Sequence, residues 1–209
     1  GYTSGSLGSV ALIGINDGYI IKYSSSGTKL WTKHIGVPAK STFIYDIKID
    51  SLGNIYVAGK TSASLSNGNG IQSSTDGYNC FFMKLDSSQN ILWTRQFSSN
   101  GTTGEAKLTL SSSGFIYGIY SYYFSNWQSQ LTKMNNLGVV QWTNTIATSG
   151  AGTRGESLVL DSNQNIYVGG WTSGTLNGYP IIGSEDGFIL KYNSSGTLQT
   201  TTKIGSSTF

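Results

Sequence analysis

The chain has 209 residues, 37% of them hydrophobic and 12% aromatic, which is long enough to bury a core. Only 11% are charged, the formal net charge is +3, and the basic groups are scattered singly, so no electrostatic footprint for nucleic acid or an anionic membrane is present. No apolar run approaches the roughly 20 residues that span a bilayer, so no membrane insertion is expected.

The 28 Gly, the 2 Pro and the many Ser, Thr, Asn and Tyr residues suit short strands joined by turns, and helical stretches are absent. Cys80 is the only cysteine, so no internal disulfide can form. The uncharged polar composition points to an extracellular or cell-surface protein. Asn100-Gly101-Thr102 and Asn193-Ser194-Ser195 are glycosylation acceptor patterns that belong on exposed loops there. The sequence starts at Gly1 with neither a signal-peptide pattern nor an initiator Met, as expected of a processed or partial chain.

In chain order, a partial repeat (1–36) comes first: Lys22 closes an apolar strand and Trp31 follows nine residues later. Gly1-Tyr2-Thr3 aligns with Gly59-Lys60-Thr61 and Gly170-Trp171-Thr172, so this copy lacks its first two segments. The second repeat (37–98) has four apolar runs, Ile47 to Asp50, Asn54 to Gly59, Phe81 to Leu85 and Ile91 to Phe97, with Lys84 and Trp93 in the same registers. The third (99–147) has Leu108 to Leu110, Phe115 to Tyr120, Leu131 to Met134 and Val139 to Ile146, with Lys133 and Trp142. The last (148–209) has Ser157 to Leu160, Ile166 to Gly170, Phe188 to Tyr192 and Leu198 to Ile204, with Lys191 and with Thr200 in the Trp register. Ser207-Thr208-Phe209 repeats the lead-in Ser41-Thr42-Phe43.

Short runs rich in Ile, Val, Tyr and Phe, bounded by Asx, Ser and Gly, read as antiparallel strands joined by hairpins, and a repeat of tens of residues marks a radial or stacked array. The expected fold is all-β, a β-propeller of four-stranded antiparallel blades. About fourteen strands, or three and a half blades, form one array over residues 1–209. The ring is expected to be larger than the chain, or to be completed by a second copy or another protein, since open blade faces would expose apolar surface. The Lys-to-Lys spacings of 62, 49 and 58 differ mainly in the connection between segments two and three, long at Ser62 to Asp76 and short at Ser121 to Gln128.

Asp50, Gly53, Asn54, Ile55, Tyr56, Val57, Gly59 and Thr61 form a pattern repeated by Asp161, Asn165, Ile166, Tyr167, Val168, Gly170 and Thr172 and continued by Asp186-Gly187-Phe188, Lys191 and Gly196. This pattern resembles the bacterial and archaeal seven-bladed β-propeller repeat family. The resemblance covers nearly the whole chain and implies a propeller of secreted or surface modules without a shared chemistry. The third copy departs from the pattern, with Tyr120 in the Gly position and Gln128 in the Asp position, and its upper loop is expected to differ.

Nucleophilic catalysis needs a histidine beside the nucleophile, and His34 is the single one; a solvent-facing strand position is expected for it. Cys80 reads as a small apolar residue. Asp161-Ser162-Asn163-Gln164-Asn165 has calcium-loop spacing, but Ile166 replaces the required Gly and no Glu closes the loop, so a plain hairpin turn is expected. No metal and no cofactor is called for.

Asp46, Glu105 and Glu156 each stand just before segment one, which places a carboxylate of each blade near the mouth of a central channel. The recurring Trp31, Trp93 and Trp142 are read as packing between blades, and the four Lys as laying their stems on apolar surface. Function is sought where the copies disagree: Tyr2, Lys60, Ser121 and Trp171 share one register, and Trp127 crowds the short third loop with Tyr122, Tyr123 and Phe124. Exposed aromatics among Asn, Ser and Gln build sugar-binding surfaces. The favoured function is a non-enzymatic surface module, a scaffold, adhesin or filament component with a protein partner or self-assembly. The alternative is a carbohydrate-binding module or accessory part of a carbohydrate-active enzyme.

Overall fold

A computed structural model of the chain describes residues 1–65, 77–97 and 101–207; Asn100, residues 66–76 of the long second loop and residues 208–209 lie outside the described residues. Among the described residues there are fifteen strands and no helix, in four antiparallel sheets whose strands neighbour one another in chain order. Blade 1 has β1 (Tyr2–Thr3), β2 (Asp17–Tyr23) and β3 (Lys29–Ile35); blade 2 has β4 (Thr42–Ile49), β5 (Ile55–Thr61), β6 (Asn79–Leu85) and β7 (Ile91–Phe97). Blade 3 has β8 (Thr102–Leu110), β9 (Ile116–Tyr123), β10 (Trp127–Met134) and β11 (Val140–Ile146); blade 4 has β12 (Thr153–Leu160), β13 (Ile166–Thr172), β14 (Asp186–Tyr192) and β15 (Leu198–Ile204). The fold is the expected propeller array. The strand beyond the expected fourteen is β1, the end of blade 1's second strand, which pairs Tyr2 with Gly18 and Thr3 with Asp17.

First strands begin four to six residues before the apolar runs that mark them, because a β-bulge interrupts each one. The ladder shifts between Ile44 and Asp46, between Thr103 and Ala106, and between Gly155 and Ser157. An extra residue destroys the period-two alternation by which a strand is recognised in sequence.

Asp and Asn side chains close the hairpin turns. Asp161 Oδ1 accepts the N–H groups of Asn163 and Asn165, and Oδ2 accepts Asn165 Nδ2 and the Tyr167 hydroxyl. Asp50 makes the same set of bonds with Leu52, Asn54 and Tyr56. These carboxylates serve the turn backbone, the ordinary work of a turn Asp.

The repeating Lys and Trp occupy one rung of each blade. Lys84 lies opposite Tyr56 on one side and Trp93 on the other, and Lys133 lies between Tyr117 and Trp142. Lys191 lies between Tyr167 and Thr200. The ammonium groups do more than reach for water: Lys84, Lys133 and Lys191 stand 5.1, 5.5 and 5.3 Å from the centroids of their Tyr rings.

The Trp rings join blades. Trp93 lies against Gly138, where an added Cβ would stand 2.8 Å from the indole, and Trp142 lies against Gly196, with a corresponding 3.0 Å. Both glycines sit in the turn between the third and fourth strands of the next blade, at φ 75 and 85. Two residues past each Trp, a side chain bonds the same turn: Arg95 donates to the carbonyls of Gly138 and Leu137, and Asn144 to that of Gly196.

Apolar burial also falls between blades. Ile20 and Ile35 of blade 1 meet Val57, Phe81, Met83 and Leu85 of blade 2; Ala58, Cys80 and Phe82 meet Ala106, Leu108, Ile116 and Met134; Ile119 and Leu131 meet Leu158, Val168, Phe188 and Leu190. Each fully buried side chain of this size contributes about 1.5–3 kcal/mol, so the junctions hold most of the stabilising area. In blade 3, Tyr120 replaces the small residue and fills the junction with blade 2, its ring 5.3 Å from Phe97 and 6.4 Å from Phe82. The third upper loop is short, as expected: β9 and β10 run on until Tyr123 pairs with Trp127.

Candidate functional site

The first strands of adjacent blades lie side by side, β4 by β8 and β8 by β12. Each carries an acid and a base two residues apart, which form ion pairs: Lys48 to Asp46 at 2.8 Å, Lys107 to Glu105 at 3.0 Å and Arg154 to Glu156 at 3.5 Å. The carboxylates differ in their further bonds. Asp46 also accepts from its neighbour Ile47 and, at 2.9 Å, from the Leu108 N–H on β8, so it joins blades 2 and 3. Glu105 and Glu156 are half exposed and share a groove of about 310 Å³ with Lys107, Arg154 and Gly155. The drift in their sequence spacing reflects different registers: Asp46 is paired on the rung of Ala58, whereas Glu156 and Glu105 lie before the equivalent rungs, at the bulges of β12 and β8.

Arg154, which sequence reasoning did not single out, brings the remaining candidates of this region together. It pairs across the ladder with Trp171, and its guanidinium carbon lies 4.7 Å from the centroid of the Trp127 ring. Trp127 in turn meets Tyr123 edge-on at 5.7 Å and covers Gly104, while Trp171 covers Gly152. Two Trp rings, one Arg and the Glu105–Lys107 pair thus form one surface at the junction of blades 3 and 4. The available signal was register: Arg154 occupies the rung position that Phe43 holds in blade 2.

Tyr2 and Lys60 belong to a separate cluster. Tyr2 meets Phe43 edge-on at 4.7 Å, and the Lys60 ammonium lies 5.1 Å from the Tyr78 ring and 5.9 Å from the Phe43 ring. That ammonium donates to the Thr103 carbonyl at 3.1 Å. Asn193 opens the β14–β15 turn, and its Oδ1 accepts the N–H groups of Ser195 and Thr197. The other acceptor pattern begins at Asn100, outside the described residues. A wider cleft of about 550 Å³, lined by Asp50, Tyr56, Lys84 and Phe115 among others, opens at the opposite end between blades 2 and 3 and holds none of the candidate residues.

His34 is buried, not solvent-facing. Its Nδ1 is 2.9 Å from Oδ2 of the buried Asp17, which also accepts the N–H groups of Ile13 and Gly14 at 2.7 and 2.8 Å. Blade 4 repeats the device with another base: Asp186 accepts from Ile182, Gly183 and the Lys203 ammonium, the last at 2.8 Å. Lys203 donates further to the carbonyls of Gly174 and Pro180, whereas His34 Nε2 is buried without a partner among the described residues. Burial would raise the carboxyls of Asp17 and Asp186; the hydrogen bonds they accept outweigh it and hold both below the usual carboxylate range. The two dyads secure the loops 4–16 and 173–185, which align without gaps and share a bridge, Leu7 to Val10 and Leu176 to Tyr179. Cys80 is fully buried, and burial pushes its thiol up.

No curated protein is significantly similar to the chain. Among solved structures, the chain is similar to a polysaccharide lyase, an ulvan lyase of family PL25, at 10% identity and TM-score 0.53, over 91% of this chain and 49% of that one. It is also similar to a subtype N10 neuraminidase-like protein of A/little yellow-shouldered bat/Guatemala/060/2010, at 15% identity and TM-score 0.47, over 80% of this chain and 45% of that one. The chain spans about half the length of these structures, and the likeness is one of fold. Residues 30–66 and 141–177 match the family model described as SBBP, Beta-propeller repeat. Each matched stretch runs from the fourth strand of one blade into the upper loop of the next, so two stretches of the chain match the SBBP β-propeller repeat.

Proposed function

We propose that the chain is a non-enzymatic binding module of the extracellular space or cell surface, and that it holds a carbohydrate at the junction of blades 3 and 4. The observation that carries this reading is the Trp127–Arg154–Trp171 surface. Indole faces take the apolar face of a sugar ring, and a guanidinium with a neighbouring acid and base supplies donors and acceptors for hydroxyls. A binding role is preferred to a hydrolytic one because Glu105 and Glu156 are each engaged by a cation of their own strand, Lys107 and Arg154, in the groove. The test is a glycan array with the parent chain, Trp171→Ala and Trp127→Ala. Binding that both variants lose supports the reading, and a parent chain that binds no glycan ends it.

A scaffold or assembly role is a second reading, favoured by the stitching of each blade to the next through Trp93, Arg95, Trp142 and Asn144. A rigid array with loops at one end suits contact with a protein partner or another copy. Sedimentation that shows a monomer at all concentrations would count against self-assembly.

A further inference from the structure

We infer that the sugar held at the junction of blades 3 and 4 carries a carboxylate, a hexuronate unit, and that Arg154 reads it; this rests on the carbohydrate reading above. The chain contains its own comparison. On the same rung of blade 2 an aromatic and a cation are exchanged between strands: Phe43 on the first, Lys60 on the second, where blade 4 has Arg154 and Trp171. The Lys60 ammonium lies over rings and is closed off by the Thr103 carbonyl at 3.1 Å. Arg154 also lies over a ring, with its side chain only 24% exposed, but its hydrogen-bonding capacity is left open. Its Nε faces Glu156 at 3.5 Å, and Nη1 and Nη2 donate to nothing among the described residues.

A guanidinium with both terminal nitrogens free is a planar fork, matched by two oxygens on one carbon. The Trp127 face fixes the plane of that fork in advance, so little rotamer entropy is lost when a ligand arrives. A hydroxyl offers one acceptor oxygen to such a fork, and a carboxylate offers two at the right separation. The acids of the groove leave the fork open: Glu105 is drawn to Lys107 at 3.0 Å, and Glu156 approaches Arg154 from its Nε side. Trp171, beside Arg154 on the ladder, lies where the ring bearing that carboxylate would stack.

The experiment is calorimetric titration of the chain with a hexuronate oligosaccharide and with the same oligosaccharide after reduction of its carboxyl groups, repeated with Arg154→Lys. Arg154→Lys keeps the charge and removes the fork, and its thermal unfolding is compared with the parent's to show that it folds. The acidic form is expected to bind at least about tenfold more tightly than the reduced form, and Arg154→Lys to abolish that preference, so that the two forms bind the variant alike. Equal binding of the two forms, an acid preference that survives in Arg154→Lys, or tighter binding of a sulfated neutral oligosaccharide overturns the inference while the carbohydrate reading stands. If neither form nor any neutral glycan binds, the carbohydrate reading falls and this inference with it.

Discussion

The indole Nε1–H of Trp93 donates to the backbone carbonyl of Asn136, 3.0 Å away on the next blade, while its ring lies against Gly138. Trp93→Ala is therefore expected to cost about 3 kcal/mol in denaturant unfolding, as a large aromatic removed from a packed site does. Gly138→Ala is expected to cost about 1–2 kcal/mol from its left-handed φ of 75 alone, and more from contact with the indole. Because both changes act on one contact, the double variant should lose less than their sum.

Asp17 and Asp186 give the chain an acid limit. Both carboxyls lie below their ordinary value in the folded chain, so the stability they provide is present above about pH 4, the ordinary aspartate range, and is lost as pH falls through the lower folded values. The melting temperature of the parent chain should fall steeply below about pH 4. Asp17→Asn should start lower at neutral pH and fall less on acidification; an unchanged acid slope would show that the dyad is not the titrating element.

His34 stands where Lys203 stands in blade 4, beside a like-placed Asp, with Nε2 unpartnered among the described residues. His34→Lys should supply the donors that Lys203 gives to its own loop and stabilise the chain by about 1 kcal/mol, read as a shift in denaturant midpoint. Loss of stability in this variant would mean that loop 4–16 does not present carbonyls as loop 173–185 does.

The two cation-on-ring clusters should separate stability from binding. Lys60→Met removes the bond to Thr103 and the contact with Tyr78, and should lower stability by about 1 kcal/mol without changing glycan affinity. Trp171→Ala should lower affinity by at least about tenfold with a smaller effect on stability, since the ring is only partly buried. The measurements are chemical unfolding and calorimetric titration on both variants.

Much of the fold could be read from register. Lys22, Lys84, Lys133 and Lys191 and the Trp that follows three of them are cross-strand neighbours, and a fixed spacing across a hairpin preserves such a pair in sequence. The starts of β4, β8 and β12 were not legible because bulges break the alternation. His34 was misplaced for another reason: a polar residue on an outer strand faces water unless a buried acceptor awaits it. Asp17 is such an acceptor, fixed by loop N–H groups that no local pattern reveals. Trp127, Trp171, Glu105 and Glu156 could be picked singly as places where the copies differ, but their meeting through Arg154 depends on which blades adjoin and which rungs coincide.

The bonds from the outer strand of one blade to the turn of the next have a direction and a division of labour. Donors such as the Trp93 indole, Arg95 and Asn144 are side chains on the outer strand of one blade, and the acceptors at Asn136, Leu137, Gly138 and Gly196 are backbone carbonyls in the next. A carbonyl is present whatever the side chain, so the receiving turn must keep only its shape, and Asn135-Asn136-Leu137-Gly138 and Asn193-Ser194-Ser195-Gly196 both accept a side chain two residues past the Trp. Such a joint asks for no matched change in its partner. A blade copied in tandem arrives able both to hold its successor and to be held, which is how an array of this kind can lengthen by duplication alone.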